Sequence, residues 1–250
     1  MSWLAQLTAV AEENHLGHFD LLLDQTGLAM PAVPGLCHID PPMPWHSLFT
    51  GSPEQHLLDS APLLMRIDLG HWRHIDWAEQ LIEHCGPEAR LLALLSPLPF
   101  SALATALSAL AQAALGGQRA LLRYYDPRVF PELMGHILAP AQRECFLATA
   151  WYWSWLDRDG VGQWLRGNYA GERGPVGPPM AISDEQLELI GCISEAEPLL
   201  ALPGLQCLAE GAEQRFQRLY RYALQASRAG AFGPLEAYVL AQLAKGAGPA

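Results

Sequence analysis

Short apolar runs alternate with segments of helical periodicity through the first half of the chain, and this alternation constrains the fold more than any other feature of the sequence. The apolar runs are 19–23, 63–69, 91–95 and 119–125. Their length and apolar character are typical of strands buried beneath helices. Helical periodicity occupies 71–85 and 99–115, between successive runs. The strand–helix–strand order therefore predicts an α/β sheet that contains parallel strand pairs.

A glycine- and proline-rich stretch marks the clearest boundary in the chain. Gly171, Gly174 and Gly177 stand three residues apart, but so few Gly-X-Y triplets cannot form a stable triple helix, which favours a linker or long loop. We expect a sandwich-like α/β domain with a short mixed sheet before it and a smaller all-helical lobe after it. The domain, linker and lobe are predicted to cover 1–166, 167–182 and 183–250.

The predicted helical lobe opens on a capping pattern. Ser183 precedes Gln186 by three residues, and this capping box favours a helix start at 184. Helices are expected over 184–193, 207–229 and 234–245. Arg215 and Arg218 lie opposite the apolar face of the longest one. That arginine face is either solvated or a docking face for an acidic partner.

The charge balance excludes one large class of function. The chain has 26 acidic residues against 15 basic ones and a net charge of -11. A nucleic-acid-binding protein needs a basic face that neutralises phosphates, so nucleic acid is not an expected partner. Half of the residues are apolar, and the mean hydropathy is +0.08. This composition predicts a folded core and excludes disorder.

Cysteine usage and the N-terminal residues favour a cytoplasmic location. Five cysteines without a C-x-x-C spacing indicate free thiols, and the first residues lack the basic start of a signal peptide. Residues 91–118 carry no charge and are long enough to span a bilayer. Pro97 and Pro99 interrupt this stretch early, and its later apolar residues recur at helical spacing. We therefore expect a helix packed on a core and no membrane insertion.

The sequence contains none of the short motifs of the common nucleophile, phosphate-binding and zinc-peptidase sites. His71 and His74 could share a metal on one helix face, with Asp76 nearby, which would suit a metal-dependent hydrolase. Because no third ligand is fixed, we favour the alternative of a solvated helix face. No catalytic residue, metal or cofactor is expected, and the chain is not expected to be an enzyme.

Carboxylates at strand ends are a second candidate for chemistry. Such groups can act as general acids or metal ligands, but they more often cap a turn or pair with an arginine. The aspartates placed in or just after predicted strands are Asp20, Asp24, Asp68 and Asp76.

A third candidate follows the fourth apolar run. A buried arginine there could lock a turn by pairing with Asp126, since guanidinium and carboxylate make bidentate contacts. Arg123 and Arg128 are the arginines that flank this aspartate. Phosphate binding is the alternative function of the same residues.

Tryptophans are concentrated in a short segment after the predicted α/β helices. Trp151, Trp153 and Trp155 recur at a spacing of two, which would place them on one face of a strand. Residues 157–160 read Asp-Arg-Asp-Gly, which predicts a hairpin turn and a returning strand with Trp164. These four side chains either pack between the sheet and the helical lobe or form a partner-binding surface, because tryptophan and arginine are enriched at binding hot spots.

The string Arg123-Tyr124-Tyr125-Asp126-Pro127-Arg128-Val129 resembles the signature of the type VI secretion effector chaperones, also called adaptors of the Tap or Tec type, a family long described as a domain of unknown function. Further pieces follow in the order of that family. They are Leu22-Leu23-Asp24, residues 47–52 with Glu54, Ala61-Pro62-Leu63-Leu64, Leu95-Ser96 and residues 151–166.

The resemblance implies a non-catalytic adaptor without a cofactor. Such a protein would bind a toxic effector in the cytoplasm and help load it onto the VgrG spike for secretion. The resemblance also implies that Arg123 to Arg128 form a structural turn. In such an adaptor the tryptophans and the arginine face, which residue type already singles out, would be the candidate contacts with the effector. A toxin-neutralising immunity protein is the remaining alternative.

Overall fold

The computed structural model describes residues 1–171, 178–202, 210–230 and 233–246. Its contacts divide the chain into two compact units, Met1–Ala181 and Ile182–Ala250. The middle of the predicted linker, 172–177, and Cys207 lie outside the described residues. Mixed α/β structure followed by helices confirms the predicted fold class.

The first unit combines helices and strands throughout its length. Its helices are α1 (Trp3–Glu13), α2 (Val33–Leu36), α3 (Trp72–Cys85), α4 (Phe100–Ala111), α5 (Phe130–Glu132) and α6 (Pro140–Leu147). A π-helical turn, Leu133–Ile137, continues α5, and 3-10 turns cover Pro53–His56 and Leu58–Ser60. Its strands are β1 (His18–Leu23), β2 (Trp45–Ser47), β3 (Leu63–Asp68), β4 (Leu91–Leu95), β5 (Gln112–Leu115), β6 (Gln118–Leu121), β7 (Tyr152–Leu156) and β8 (Gly162–Arg166). A ninth strand, β9 (Met180–Ile182), contains the division between the units.

The central sheet has six strands in the order β2-β3-β1-β4-β7-β8. Each neighbouring pair in it is antiparallel. The prediction of parallel pairs is therefore wrong, and β1 is the reason. β3 and β4 do run in the same direction and are joined through α3, as the strand–helix–strand pattern indicates, but β1 lies between them. Leu22 of β1 is opposite Leu64 of β3 on one side and opposite Leu92 of β4 on the other.

The two faces of this sheet are covered by different helices, and the alternation of β1 shows the division. Phe19, Leu21 and Leu23 join the core that contains the buried residues of α1 and α3. Asp20 and Leu22 point to the opposite face. On that second face the Arg66 guanidinium of β3 lies 5.6 Å from the ring centroid of Phe100 in α4. The second face therefore buries charge as well as apolar surface.

A β-hairpin replaces the predicted fourth strand of the main sheet. α4 ends at Ala111, and β5 and β6 pair antiparallel with each other and form a three-stranded sheet with β9. Gly116 and Gly117 connect them with φ values of +56° and +81°. Two successive left-handed residues are what a tight two-residue hairpin turn requires. The predicted strand over 119–125 is confirmed only for 119–121, and the predicted helix ends at Ala111 rather than at 115, because the Gly116-Gly117 turn folds this stretch into a hairpin.

The predicted tryptophan hairpin is confirmed. β7 and β8 pair in register from Tyr152 opposite Arg166 to Leu156 opposite Gly162. The Asp157 carboxylate accepts from the backbone N–H groups of Asp159 and Val161, and Gly160 has a φ of +74°. The side chain of Asp157 therefore holds the turn that its sequence predicts.

The described part of the second unit is helical after Ile182. Its helices are α7 (Asp184–Ala196), α8 (Ala212–Arg228) and α9 (Leu235–Gly246), and a 3-10 turn, Glu197–Ala201, follows α7. The capping box at Ser183 is confirmed, since its side chain accepts from the Gln186 N–H and its own N–H donates to Gln186. α8 begins at Ala212, later than predicted, and 207–209 lie outside the described residues.

The described helices differ in length and in apolar character. Within the described ranges, none of them combines the length and the apolar character that a membrane crossing needs.

The four cysteines of the described ranges are free thiols.

Candidate functional site

The segment 123–128 follows β6 and meets the end of β1. The Arg123 guanidinium donates to the Asp24 carboxylate at 2.9 Å and lies 3.4 Å from an oxygen of Asp126. Asp24 comes directly after β1, and its backbone N–H donates to the Arg90 carbonyl at 2.9 Å. Arg123 therefore ties the segment to the end of a central strand that is 99 residues earlier in the chain.

Asp126 is the centre of the turn itself. Its carboxylate accepts two hydrogen bonds from the Arg128 guanidinium, at 2.9 and 2.8 Å, and one from the Arg128 backbone N–H at 3.0 Å. Both carboxylate oxygens are thus engaged in a bidentate pair. Pro127 stands between the two residues, and its fixed φ suits a turn. We call Asp24, Arg123, Asp126 and Arg128 the signature network.

Burial in the signature network is the reverse of what the sequence suggested. The side chains of Asp24 and Asp126 are only 3% and 5% exposed, whereas Arg123 and Arg128 are 46% and 37% exposed. The expectation of a buried arginine is therefore corrected. The buried groups are the aspartates, and the longer arginine side chains cover them while their guanidinium groups stay in contact with water.

The two tyrosines of the segment are anchored on its inner side. The Tyr124 hydroxyl donates to the Leu107 carbonyl at 2.9 Å, and its ring meets that of Phe146 edge-on at 5.0 Å. Burial raises the pKa of Tyr125 to about 12, and the charge of Asp24 adds to the rise. Burial alone would lower the pKa of Arg123, but Asp24 and Asp126 raise it above its ordinary value. These groups keep their charge states at neutral pH, which suits a structural turn better than proton transfer.

The four predicted tryptophans do not form one surface. Trp153 is fully buried, its ring stacks on Phe130 at 4.9 Å, and its indole N–H donates to the Phe146 carbonyl at 3.3 Å. A side chain buried in this way offers no area to a partner, so Trp153 is corrected from a contact residue to a core residue. Trp155 is half-buried and meets Phe130 edge-on at 5.5 Å.

Trp164 belongs to the opposite face of the sheet. It lies opposite Ser154 in the hairpin, contacts the Tyr152 ring at 6.2 Å, and donates to the Gln6 side chain of α1 at 3.4 Å. Trp151 precedes β7 and is half-buried. A partner-binding role for Trp151, Trp155 and Trp164 stays a prediction.

The arginine face of α8 is partly occupied within its own unit. Arg215 donates to the Glu210 carbonyl at 2.8 Å, and Arg218 forms an ion pair with the Glu210 carboxylate. Both side chains are half-buried. Docking of an acidic partner on this face stays a prediction, and Glu210 would compete with that partner for Arg218.

The two histidines of α3 have different environments. His74 is 2% exposed, its Nδ1 accepts from the Asp68 N–H at 3.3 Å, and its Nε2 lies 3.0 Å from the Pro41 carbonyl. Because each ring nitrogen has a partner, His74 is not a free ligand. The expected solvated face was also wrong at this position, since His74 is buried whereas Trp72 is 71% exposed. Within the described ranges no three His, Cys, Asp or Glu side chains are grouped as a metal site would need.

Most of the aspartates predicted at strand ends cap a turn or pair with an arginine, as their structural interpretation predicts. Asp68 accepts from the Gly70 N–H at 2.8 Å and so caps the turn after β3. Asp76 lies within α3 rather than at a strand end, and it accepts from Gln80 at 2.8 Å. Asp20 makes a bidentate pair with Arg66 at 2.7 and 2.9 Å. Arg66 is absent from the predicted site residues, although a single arginine inside an apolar strand is itself a signal that a buried acid faces it.

Together these features define a mixed α/β protein whose charged signature fastens a turn to its central sheet. The family model described as Domain of unknown function (DUF4123) matches residues 21–145, which is half of the chain, and the chain belongs to that family. The match begins in β1, includes the whole signature network and ends in α6. No curated protein and no solved structure matches the chain.

Proposed function

We propose that this protein is a non-catalytic adaptor that binds a type VI secretion effector in the cytoplasm and helps load it onto the VgrG spike. The single observation that carries the proposal is the family match over 21–145. It covers the Arg-Tyr-Tyr-Asp-Pro-Arg-Val string and the ordered motifs before it, whose resemblance points to effector chaperones, and it ends before the last motif, residues 151–166.

The geometry of the signature network supports a scaffold role for that string. Each of its aspartates is buried beneath an arginine, and Tyr124 is bonded to a helix carbonyl. Charged groups that are paired in this way hold the segment in place and leave no acid or base poised for a substrate. Binding to the effector would then use surfaces outside the network, and no cofactor is needed for it.

Affinity capture of the tagged protein from its native cells, with the secretion genes expressed, tests the proposal. We expect one large toxin to co-purify, with or without a VgrG spike protein, and to lose secretion when the gene of this protein is deleted. Secretion at the wild-type level in the deletion strain would refute the adaptor role.

A toxin assay separates the adaptor from an immunity protein. An adaptor leaves the activity of the captured toxin unchanged when the two proteins are mixed. Inhibition of the toxin at a stoichiometric ratio would instead show a neutralising function.

Elemental analysis tests the hydrolase alternative, because bound metal well below about one tenth of an equivalent would exclude a metal site that includes His71.

A further inference from the structure

The two edges of the six-stranded sheet are protected to different degrees. The β2 edge is three residues long, follows Pro44, and has its His46 side chain bonded to Ser108 of α4. Short edge strands and prolines are common protections against pairing with another chain. The β8 edge is five residues long and contains neither proline nor lysine. Within the described residues, β8 is therefore the less protected edge and the one that can accept an additional strand.

The register of the hairpin shows which backbone groups this edge presents. The Asp157 N–H donates to the Val161 carbonyl, and the Gly167 N–H donates to the Trp151 carbonyl. Hydrogen-bonded pairs alternate along an antiparallel ladder, so the N–H and C=O groups of Gly162, Trp164 and Arg166 point away from β7. Among the residues that the structure describes, these groups have no hydrogen-bond partner. Three evenly spaced backbone positions are thus free to pair.

A polar pocket of about 330 Å³ lies where this edge ends. The side chains that line it are Asn14, Trp151, Tyr152, Arg166, Asn168 and Tyr169. Arg166 is exposed and makes no ion pair with any described residue, and it is the one formally charged side chain of the lining. Glu144, which lies beside the pocket, accepts a hydrogen bond from Asn168. In a chain with a net charge of -11, this pocket offers a cation and aromatic walls to an anionic group.

We propose that an extended segment of the bound partner adds to β8 as a seventh strand and places a carboxylate against Arg166. Main-chain hydrogen bonds at Gly162, Trp164 and Arg166 would hold the segment on the sheet edge, and the pocket would favour segments that carry an acidic group. The identity of the partner as the secreted effector rests on the proposed function. The strand site itself rests on the sheet edge and the pocket.

Selection of a displayed library of random decapeptides on the full-length protein tests the site without knowledge of the effector. We expect enriched peptides to carry Asp or Glu, or to bind through a free C-terminal carboxylate, which amidated peptides distinguish. For the best peptide, Arg166→Glu should raise the Kd at least about tenfold, and Arg166→Gln should raise it less. Arg119→Glu is the matched control, because Arg119 is an exposed arginine on β6, an edge strand of the other sheet, and should leave the Kd unchanged.

Amide exchange measured by NMR identifies the edge directly. Peptide binding should slow exchange at Gly162, Trp164 and Arg166, whereas Gln163 and Leu165 already donate to β7.

Three results would each overturn the site: a library without enriched binders, equal affinity of the best peptide for wild type and Arg166→Glu, or protection from exchange elsewhere on the surface. An effector that is captured equally by wild type and Arg166→Glu would remove this docking mode and leave the adaptor function intact. Peptides that bind the edge while no effector is captured would remove only the adaptor function.

Discussion

Asp20 and Asp24, four residues apart, each belong to an ion-pair site, and the two sites differ in whether the arginine is buried together with the aspartate. In the Asp20–Arg66 pair both side chains are inside the protein, at 0% and 14% exposure. In the signature network the carboxylates are buried, but Arg123 and Arg128 are 46% and 37% exposed. Aspartate and arginine thus form a pair inside the protein at one site, and at the other site buried aspartates are covered by arginines at the surface.

The difference decides what happens when a partner is lost. Removing one member of a buried pair leaves a charge without water, and such losses are strongly destabilising. Burial raises the pKa of Asp20, and the hydrogen bonds and charge of Arg66 oppose that rise. Water can replace a guanidinium that is half-exposed, so the signature network depends on its aspartates far more than on its arginines. The interior pair therefore secures β1 against β3, and the network secures a turn.

Substitution of Arg66 by methionine is expected to have the largest effect. Methionine fills similar volume, but Asp20 would then be buried without its cation, and the Leu98 carbonyl would lose the donor that bonds it at 3.0 Å. We expect Arg66→Met to lower the free energy of unfolding by about 3–5 kcal/mol. Urea denaturation followed by circular dichroism measures the change.

The double variant Asp20→Asn/Arg66→Met is the control for that experiment. Removing the carboxylate charge as well should recover part of the loss, because no buried ion remains. A single Arg66→Met variant within about 1 kcal/mol of wild type would show that the pair is not effectively buried.

Loss of the central carboxylate of the signature network should come next. Asp126→Ala leaves the Arg128 backbone N–H and guanidinium without their acceptor. It also removes the longer contact of Arg123, which stays bonded to Asp24. We expect a loss of about 2 kcal/mol, because unmade buried hydrogen bonds cost roughly 1–3 kcal/mol. Asp59→Ala is the matched control, since Asp59 is exposed, and it should change the free energy of unfolding by less than about 0.5 kcal/mol. Equal effects of the two variants would contradict the assigned role of Asp126.

An alkaline titration tests the inner side of the same turn. The pKa of Tyr125 is about 12 in the folded protein, above its ordinary value of 10.0. Above pH 10 the unfolded chain releases this proton while the folded chain retains it, so stability falls as the pH rises towards 12. By pH 11 the loss from Tyr125 should reach roughly 1.4 kcal/mol. Tyr125→Phe should flatten the stability curve between pH 10 and 12 relative to wild type, and an unchanged slope would show that Tyr125 is not shielded.

The sequence predicted the elements of the fold better than their arrangement. Apolar runs and caps are local, so β4, the helix after Ser183 and the hairpin around Asp157 follow from neighbouring residues. The insertion of β1 between β3 and β4 depends on contacts between distant strands, and no local pattern records it. In the same way the string 123–128 indicated an ionic turn, but its partner Asp24 is 99 residues away. Which member of the pair is buried depends on how far each side chain reaches towards the surface.

Arg123→Ala should have the smallest effect of these variants, and it sharpens the comparison most. Arg123 bonds Asp24 with one nitrogen, but its side chain is 46% exposed, and pairs of that exposure are typically worth about 0.2–1 kcal/mol. We expect a decrease within that range, measured by urea denaturation at low salt, that becomes smaller at 1 M salt as screening weakens the pair. Arg123→Gln should recover part of it by donating to Asp24 without a charge. A loss as large as that of Arg66→Met, unaffected by salt, would mean that Arg123 and Asp24 behave as a second interior pair, and the contrast between the two sites would fail.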